Sequence, residues 1–240
     1  PLLLTSILIV VVLTIYLYGS STNFGTNQGS SPQNTQNTKR LNFITYTQAE
    51  YPQQDVFIQR DSESNKVYRV DPNDIQQYSA ILQKQLFAAA IHAEKDIFKA
   101  QSAPLGPFPK GKPLGFTLGK WLAAGGSGTY VEENNQIKLG LIFQNLIPNA
   151  TYDLWCAMVD SATQTVQDLP CPRIDGSQNT FNTDQSGNAN YNVSLNRFLA
   201  SPNMSTAFSI SYNSDGMSHS PIMPQTAGLV THIHLLTLVQ

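Results

Sequence analysis

Charge is scarce in this chain. Only 12% of its 240 residues are Asp, Glu, Lys or Arg, about half the share usual in globular proteins. The formal net charge is −2, and the densest basic feature is the pair Lys39-Arg40. A nucleic-acid partner needs many cations to displace counterions from phosphate, so none is expected. Cysteine is nearly absent too: Cys156 and Cys171 are the only two. A zinc site needs about four close ligands, which this pair does not supply. In an oxidising compartment the two are expected to form a disulfide; two separate buried thiols are the alternative.

The motifs that mark common enzymes are missing as well. There is no phosphate-binding glycine loop, no His-Glu zinc helix and no serine elbow. The run GGSG at 125–128 precedes a strand without a following lysine and reads as a turn. Glu132 and Glu133 are adjacent, so on a strand they point to opposite faces and cannot flank one scissile bond. The chain is therefore expected not to be an enzyme and to need no cofactor.

What is present begins with an apolar run. Residues 2–18 read LLLTSILIVVVLTIYLY, with no charge. At helical rise they span about 26 Å, close to the thickness of a bilayer core. Tyr16 and Tyr18 lie where interfacial aromatics belong. The run lacks the basic start of a secretory leader, so it is expected to stay on the chain. It can anchor in a membrane, pack as a helix in a filament core, or serve as a strand donated to a neighbour's sheet. The residues expected to drive assembly are Leu2, Leu3, Leu4, Ile7, Leu8, Ile9, Val10, Val11, Val12, Leu13, Ile15 and Leu17. A polar tether follows at 20–40, where 15 of 21 residues are Ser, Thr, Asn or Gln.

Residues 41–115 read as a small α+β module. LNFITYTQ, DVFIQR and KVYRV have strand character. Asp71 and Pro72 then open a helical pattern in which Ile75, Tyr78, Leu82, Leu86, Ala89, Ala93 and Ile97 recur at three- and four-residue steps. One amphipathic helix over 72–99 is expected, with His92 near its apolar face as a packed or surface residue. The Pro- and Gly-rich stretch 102–115 is expected to be an extended connector.

From residue 116 the pattern is one of short strands punctuated by Asn, Gly, Asp and Pro. GTYVEE, QIKLGLIFQNL, TYDLWCAMV, TVQDL, NTFNTD, ANYNVSL, TAFSISYN and GLVTHIHLLTLV are eight candidate strands. They predict a β-sandwich of Ig-like or jelly-roll type over 116–240. The fold class is thus mainly β, with an N-terminal hydrophobic helix over 1–19 and one amphipathic helix. Tight turns are expected at Asp184–Asn188 and Asn213–Gly216.

The runs FTLGKWLAAGGSGTYV, LIPNATYDLWC, SYNSDGMSH and GLVTHIHLLTL resemble a group of exported β-sandwich proteins of environmental microbes. The resemblance covers about half the chain and implies export and a sandwich, with no particular activity. The layout of apolar N-terminal segment, linker and β-rich head also resembles type IV pilin-like filament subunits. Many bacterial pilins carry glutamate at the fifth mature position, where this chain has Thr5; archaeal relatives can lack it.

Two further sets of side chains are candidates for chemistry. His232 and His234 stand two apart on a strand, hence on one face, and His219 precedes them by thirteen residues. Together they are the candidate zinc or copper ligands, set against packing near a sheet end, which is the expectation. Asn149, Asn192 and Asn203 open N-x-[ST] sequons and are candidate glycosylation sites. The leading functional expectation is an extracellular filament subunit. It would polymerise with identical subunits through residues 2–18, pass through the membrane before assembly, and carry glycans on a β domain outside. The alternative is a single-pass anchored, outward-facing binding module.

Overall fold

The computed structural model describes residues 37–45, 55–60, 65–77, 79–90, 104–160, 162–163, 165–196, 204–220 and 222–239. The apolar segment 2–18, its twelve candidate assembly residues, His92 and Asn203 lie outside them. Among the described residues no helix is long and apolar enough to cross a membrane. Residues Asn37–Val239 belong to one compact unit.

The protein is mainly β. The first strand, β1 (Asn37–Thr45), is central. Its residues 37–43 pair with β6 (Gly125–Glu133), and Ile44 and Thr45 pair with β13 (Thr231–Leu238). The remaining large-sheet strands are β7 (Gln136–Gln144), β8 (Thr151–Asp160), β9 (Thr165–Pro170), β10 (Thr180–Asn182), β11 (Ala189–Asn196) and β12 (Met204–Asn213). They give the order β10-β8-β12-β13-β1-β6-β7-β11, with β9 on β8. All eight candidate strands of the C-terminal half are therefore present. The sheet folds so that its two ends face each other. Tyr130 of β6 lies 6.2 Å from Phe208 of β12, and Phe143 of β7 stacks on Phe181 of β10 at 5.4 Å. Between them lies a core in which Tyr152, Phe143, Phe208, Leu141 and Leu154 are fully buried. Aromatic pairs of this kind contribute about 0.5–1.5 kcal/mol beyond their buried area.

Four further strands close a small barrel: β2 (Phe57–Ile58), β3 (Lys66–Arg69), β4 (Gln85–Ala89) and β5 (Phe108–Thr117). This corrects two expectations. Among the described residues the helical pattern over 72–99 yields α1 (Pro72–Gln77) and a 3-10 turn at Ser79–Gln83, and then β4; Tyr78, Ala93 and Ile97 lie outside the described residues. Asp71 does cap, its carboxylate accepting from Asn73 N at 2.9 Å. Leu86, Ala88 and Ala89, however, are buried strand residues against β2 and β5. Apolar residues at 82, 86 and 89 fit a helix, yet Gln85–Ala89 also supports near-alternation, and pairing with two neighbours decides between them. The Pro/Gly-rich stretch likewise becomes β5. Its ladder with β4 slips twice, leaving Pro113 opposite Phe87 between the two irregularities, where its missing N–H group is tolerated. Gly111 lets the backbones meet, since a Cβ there would stand 2.7 Å from the Ala88 carbonyl.

The boundaries shift accordingly. Residues 37–40, given to the polar tether on composition, begin β1, and 41–45 continue it inside the large sheet. Polar side chains suffice there because the outer face of that strand meets water. GGSG also lies within β6 rather than forming a turn. Gly126 and Gly128 face inward, where a Cβ would come within 2.5 Å of the Phe143 ring and 2.7 Å of Leu141.

Cys156 and Cys171 are bonded, with Cα atoms 5.7 Å apart, across the β8–β9 hairpin. Closing a loop of this size contributes about 3 kcal/mol on the chain-entropy estimate. Cys171→Ala, or reduction, should lower the denaturation free energy by roughly that amount. A loss below about 1 kcal/mol would show that the hairpin ladder alone holds these strands.

Candidate functional site

Strand alternation builds an open groove on the solvent face of β1, β6, β7 and β11. On these strands Leu41, Tyr130, Leu139, Leu141 and Phe143 turn inward. Their neighbours turn outward and lie in rows across the sheet. One row is Arg40, Thr129, Gly140 and Asn192, fixed by the registers Arg40↔Thr129, Thr129↔Gly140 and Asn192↔Gly140. The next brings Ile142 opposite Asn190. Gly140 leaves a notch where a side chain would stand, giving a groove of about 530 Å³. Among the described residues Arg40 is the only charged side chain that lines it.

A second assembly lies where the loop after β12 returns to the sheet. Tyr152, Leu154 and Cys156 face the core as their alternation predicts, but Asp153 on the opposite face of β8 is also fully buried. Its Oδ1 accepts from Thr180 Oγ1 at 2.7 Å and Ser218 Oγ at 2.9 Å. Its Oδ2 accepts from Asn213 Nδ2 at 2.8 Å and from the His219 backbone N–H at 3.0 Å. Four donors thus compensate one buried carboxylate and tie β8, β10, β12 and the loop together. Nearby, burial and, secondarily, the Asp153 charge push the Tyr191 hydroxyl up to about 12. Sequence reasoning missed Asp153; a lone acid inside the apolar run TYDLWCAMV was the available signal.

The three candidate metal-binding histidines have separate partners. His219 pairs through Nε2 with the Asp215 carboxylate at 2.9 Å, within the loop. His232 is buried, with Nδ1 at the Asp55 carbonyl and Nε2 3.2 Å from Ser214 Oγ. His234 is buried on Trp121 of α2 (Leu118–Leu122), ring centroids 3.5 Å apart. Its Nε2 is 2.8 Å from the Trp121 carbonyl, which only accepts, so Nε2 carries the proton. Nδ1 therefore accepts from the Tyr152 hydroxyl at 2.9 Å, and that oxygen accepts the Ile147 N–H at 3.1 Å. Burial holds the His234 imidazole down to about 3, outweighing the opposing bond to Trp121, and pushes the Tyr152 hydroxyl well up. The β12–β13 register passes from Ile210↔Leu235 to Ser211↔Ile233, so His234 is the extra residue of a bulge. That bulge aims it at Trp121. Among the described residues no group of three or more His, Cys, Asp or Glu side chains is placed to hold a metal ion.

Of the sequon asparagines, Asn149 is exposed in the turn before β8 at φ 50°. Asn192 is exposed on β11 and belongs to the groove. The expected turns are present: Asp184 accepts the N–H groups of Ser186 and Asn188, and the Gly216 N–H reaches the Asn213 carbonyl.

The fold and these sites define a disulfide-bonded, mainly β protein with an open groove on one sheet face. In comparisons with protein-family models and with curated proteins, nothing matches the chain.

Proposed function

We propose that this chain is an exported, non-enzymatic binding module: a β-sandwich head of Ig-like or jelly-roll type, displayed outside the cytoplasm on the apolar segment 2–18. The groove across β1, β6, β7 and β11 is the observation that carries this reading. It is open, floored by Gly140 and walled by Arg40, Ile142 and the hydrogen-bonding side chains of Thr129, Asn190 and Asn192, which suits reversible capture of a polar ligand. The Cys156–Cys171 bond fits an oxidising compartment. The 17-residue charge-free run supplies an anchor of spanning length.

Protease shaving of intact cells tests the display. The head should be released as a folded fragment by cleavage within 20–36, while the uncut chain should require detergent for extraction. Recovery of the whole chain in the cytosolic supernatant, protected from protease, would overturn the reading.

The absence of any charge over 2–18 also favours a second reading, the extracellular filament subunit. Shielding that segment against copies of itself gains roughly 1.5–3 kcal/mol per large side chain, and identical head-to-tail contacts propagate as open filaments. Negative-stain microscopy of native material separates the two, showing either fibres that vanish on deletion of 1–19 or discrete detergent-bound particles.

A further inference from the structure

Gly140 sits on the floor of the groove. It lies mid-strand in β7 and its missing side chain would point to solvent. Its backbone needs no positive φ. Glycine weakens a strand interior and commonly marks a place where something approaches the backbone closely. A Cβ here would meet Asn192 Oδ1 and Thr129 Oγ1, each at 3.2 Å, so the notch is bounded by an amide and a hydroxyl.

The rest of the groove narrows the chemistry of what fits. From Arg40 on β1 to Asn192 on β11 there are three strand spacings, about 14 Å. That suits an extended oligomer better than a single small metabolite. Asn190 and Asn192 each offer an acceptor and two donors, the combination a polyhydroxylated ligand requires. Ile142, 50% exposed, gives one small apolar platform. One such side chain is too little for an apolar peptide or a lipid. One cation is too little for a nucleic acid. Arg40 adds a planar guanidinium suited to a carboxylate, and no acidic side chain among the described residues lines the groove to repel one.

Resting on the binding-module reading above, we infer that this groove takes an acidic polysaccharide. Arg40 holds a uronate carboxylate, Asn190, Asn192 and Thr129 hold sugar hydroxyls, and a ring lies over Ile142 with its edge in the Gly140 notch. Asn192 is also a sequon asparagine, and a glycan attached to it would fill the same notch.

The test is titration of oligogalacturonate, with neutral dextran oligosaccharide as control, into the full chain in detergent micelles. Intact mass and a melting curve are recorded for every variant. Oligogalacturonate should bind, weaken with salt, and exceed dextran at least about tenfold, the effect of one charge-assisted pair. Arg40→Gln should abolish most of that preference, and Gly140→Val should abolish binding to both, each in a variant that still melts cooperatively. Absence of oligogalacturonate binding, equal binding of dextran, or insensitivity to both variants overturns the inference. So does an intact mass showing Asn192 already glycosylated in native protein. If a variant unfolds, chemical-shift perturbation in the unmodified protein decides: shifts at Gly140 and Asn192 support the site, and shifts elsewhere overturn it. These outcomes are independent of protease shaving, so a displayed head that binds no acidic sugar sinks this inference alone.

Discussion

Asp153→Ala is expected to cost on the order of 4 kcal/mol of folding stability and to lower the melting temperature by roughly 10 °C. The carboxylate is fully buried and accepts four hydrogen bonds, from Thr180, Ser218, Asn213 and the His219 backbone. Hydrogen bonds to a charged group are worth about 1.5–3 kcal/mol each, and removal strands several donors away from water. The loop carrying Ser218 and His219 should loosen first, because two of the four bonds are its own. Asp153→Asn is the informative companion. It preserves shape but turns one acceptor into a donor facing donors, so it should recover little. Thermal melts and amide exchange of residues 214–220 check both. A loss below about 1 kcal/mol for Asp153→Ala would mean that water replaces the carboxylate and that the loop is not fastened there.

The second large effect is acid destabilisation centred on His234. In the unfolded chain this imidazole titrates near 6.5; in the folded protein burial keeps it neutral down to about 3. Within that window the proton binds only the unfolded state. Stability is therefore full above pH 6.5 and falls as the pH drops toward 3, by about 1.4 kcal/mol per unit and on the order of 5 kcal/mol in all. The charge has nowhere to go: Nδ1 faces the Tyr152 oxygen, the ring lies on Trp121, and Lys120 and His232 add like charge nearby. The surface carboxylates behave differently. Asp184, held low mainly by the Asn188 N–H, titrates below its ordinary 3.8. Loss between pH 6.5 and 4 thus reports the histidine rather than the acids. Urea denaturation at several pH values, repeated with His234→Gln, checks this. The variant should be less stable at pH 7 but flatter through the window. An equally steep acid slope without the imidazole would assign the effect elsewhere.

Legibility differed between the two halves. The C-terminal strands were readable because each obeys a local rule: Leu139, Leu141 and Phe143 alternate, and Asp184–Asn188 carries the acceptor and glycine that a tight turn needs. The stretch 72–115 misled for an equally physical reason. Its apolar spacing suits a helix, and its prolines and glycines suit a connector, yet Gln85–Ala89 and Phe108–Thr117 become strands of a small closed barrel. Local preference there is weak, and partners distant in sequence supply the hydrogen bonds that override it. The histidines were placed on one strand and given a packing role as the expectation. Nothing local indicated that Trp121, 113 residues away, would lie against His234.

The amino-acid order alone determined that this chain is poor in charge, carries an uncharged run of spanning length, and alternates its way through a β-rich C-terminal half. Those are properties of composition and period, and they need no partner. Tertiary structure decided the rest. It fixed which strands neighbour β1, buried Asp153 among four donors, turned His234 onto Trp121 through a bulge, and lined Arg40, Gly140 and Asn192 into one groove. Each of these depends on register between strands far apart in the chain. A shift of one residue would exchange the two faces of a strand, and only the packed core specifies which register holds.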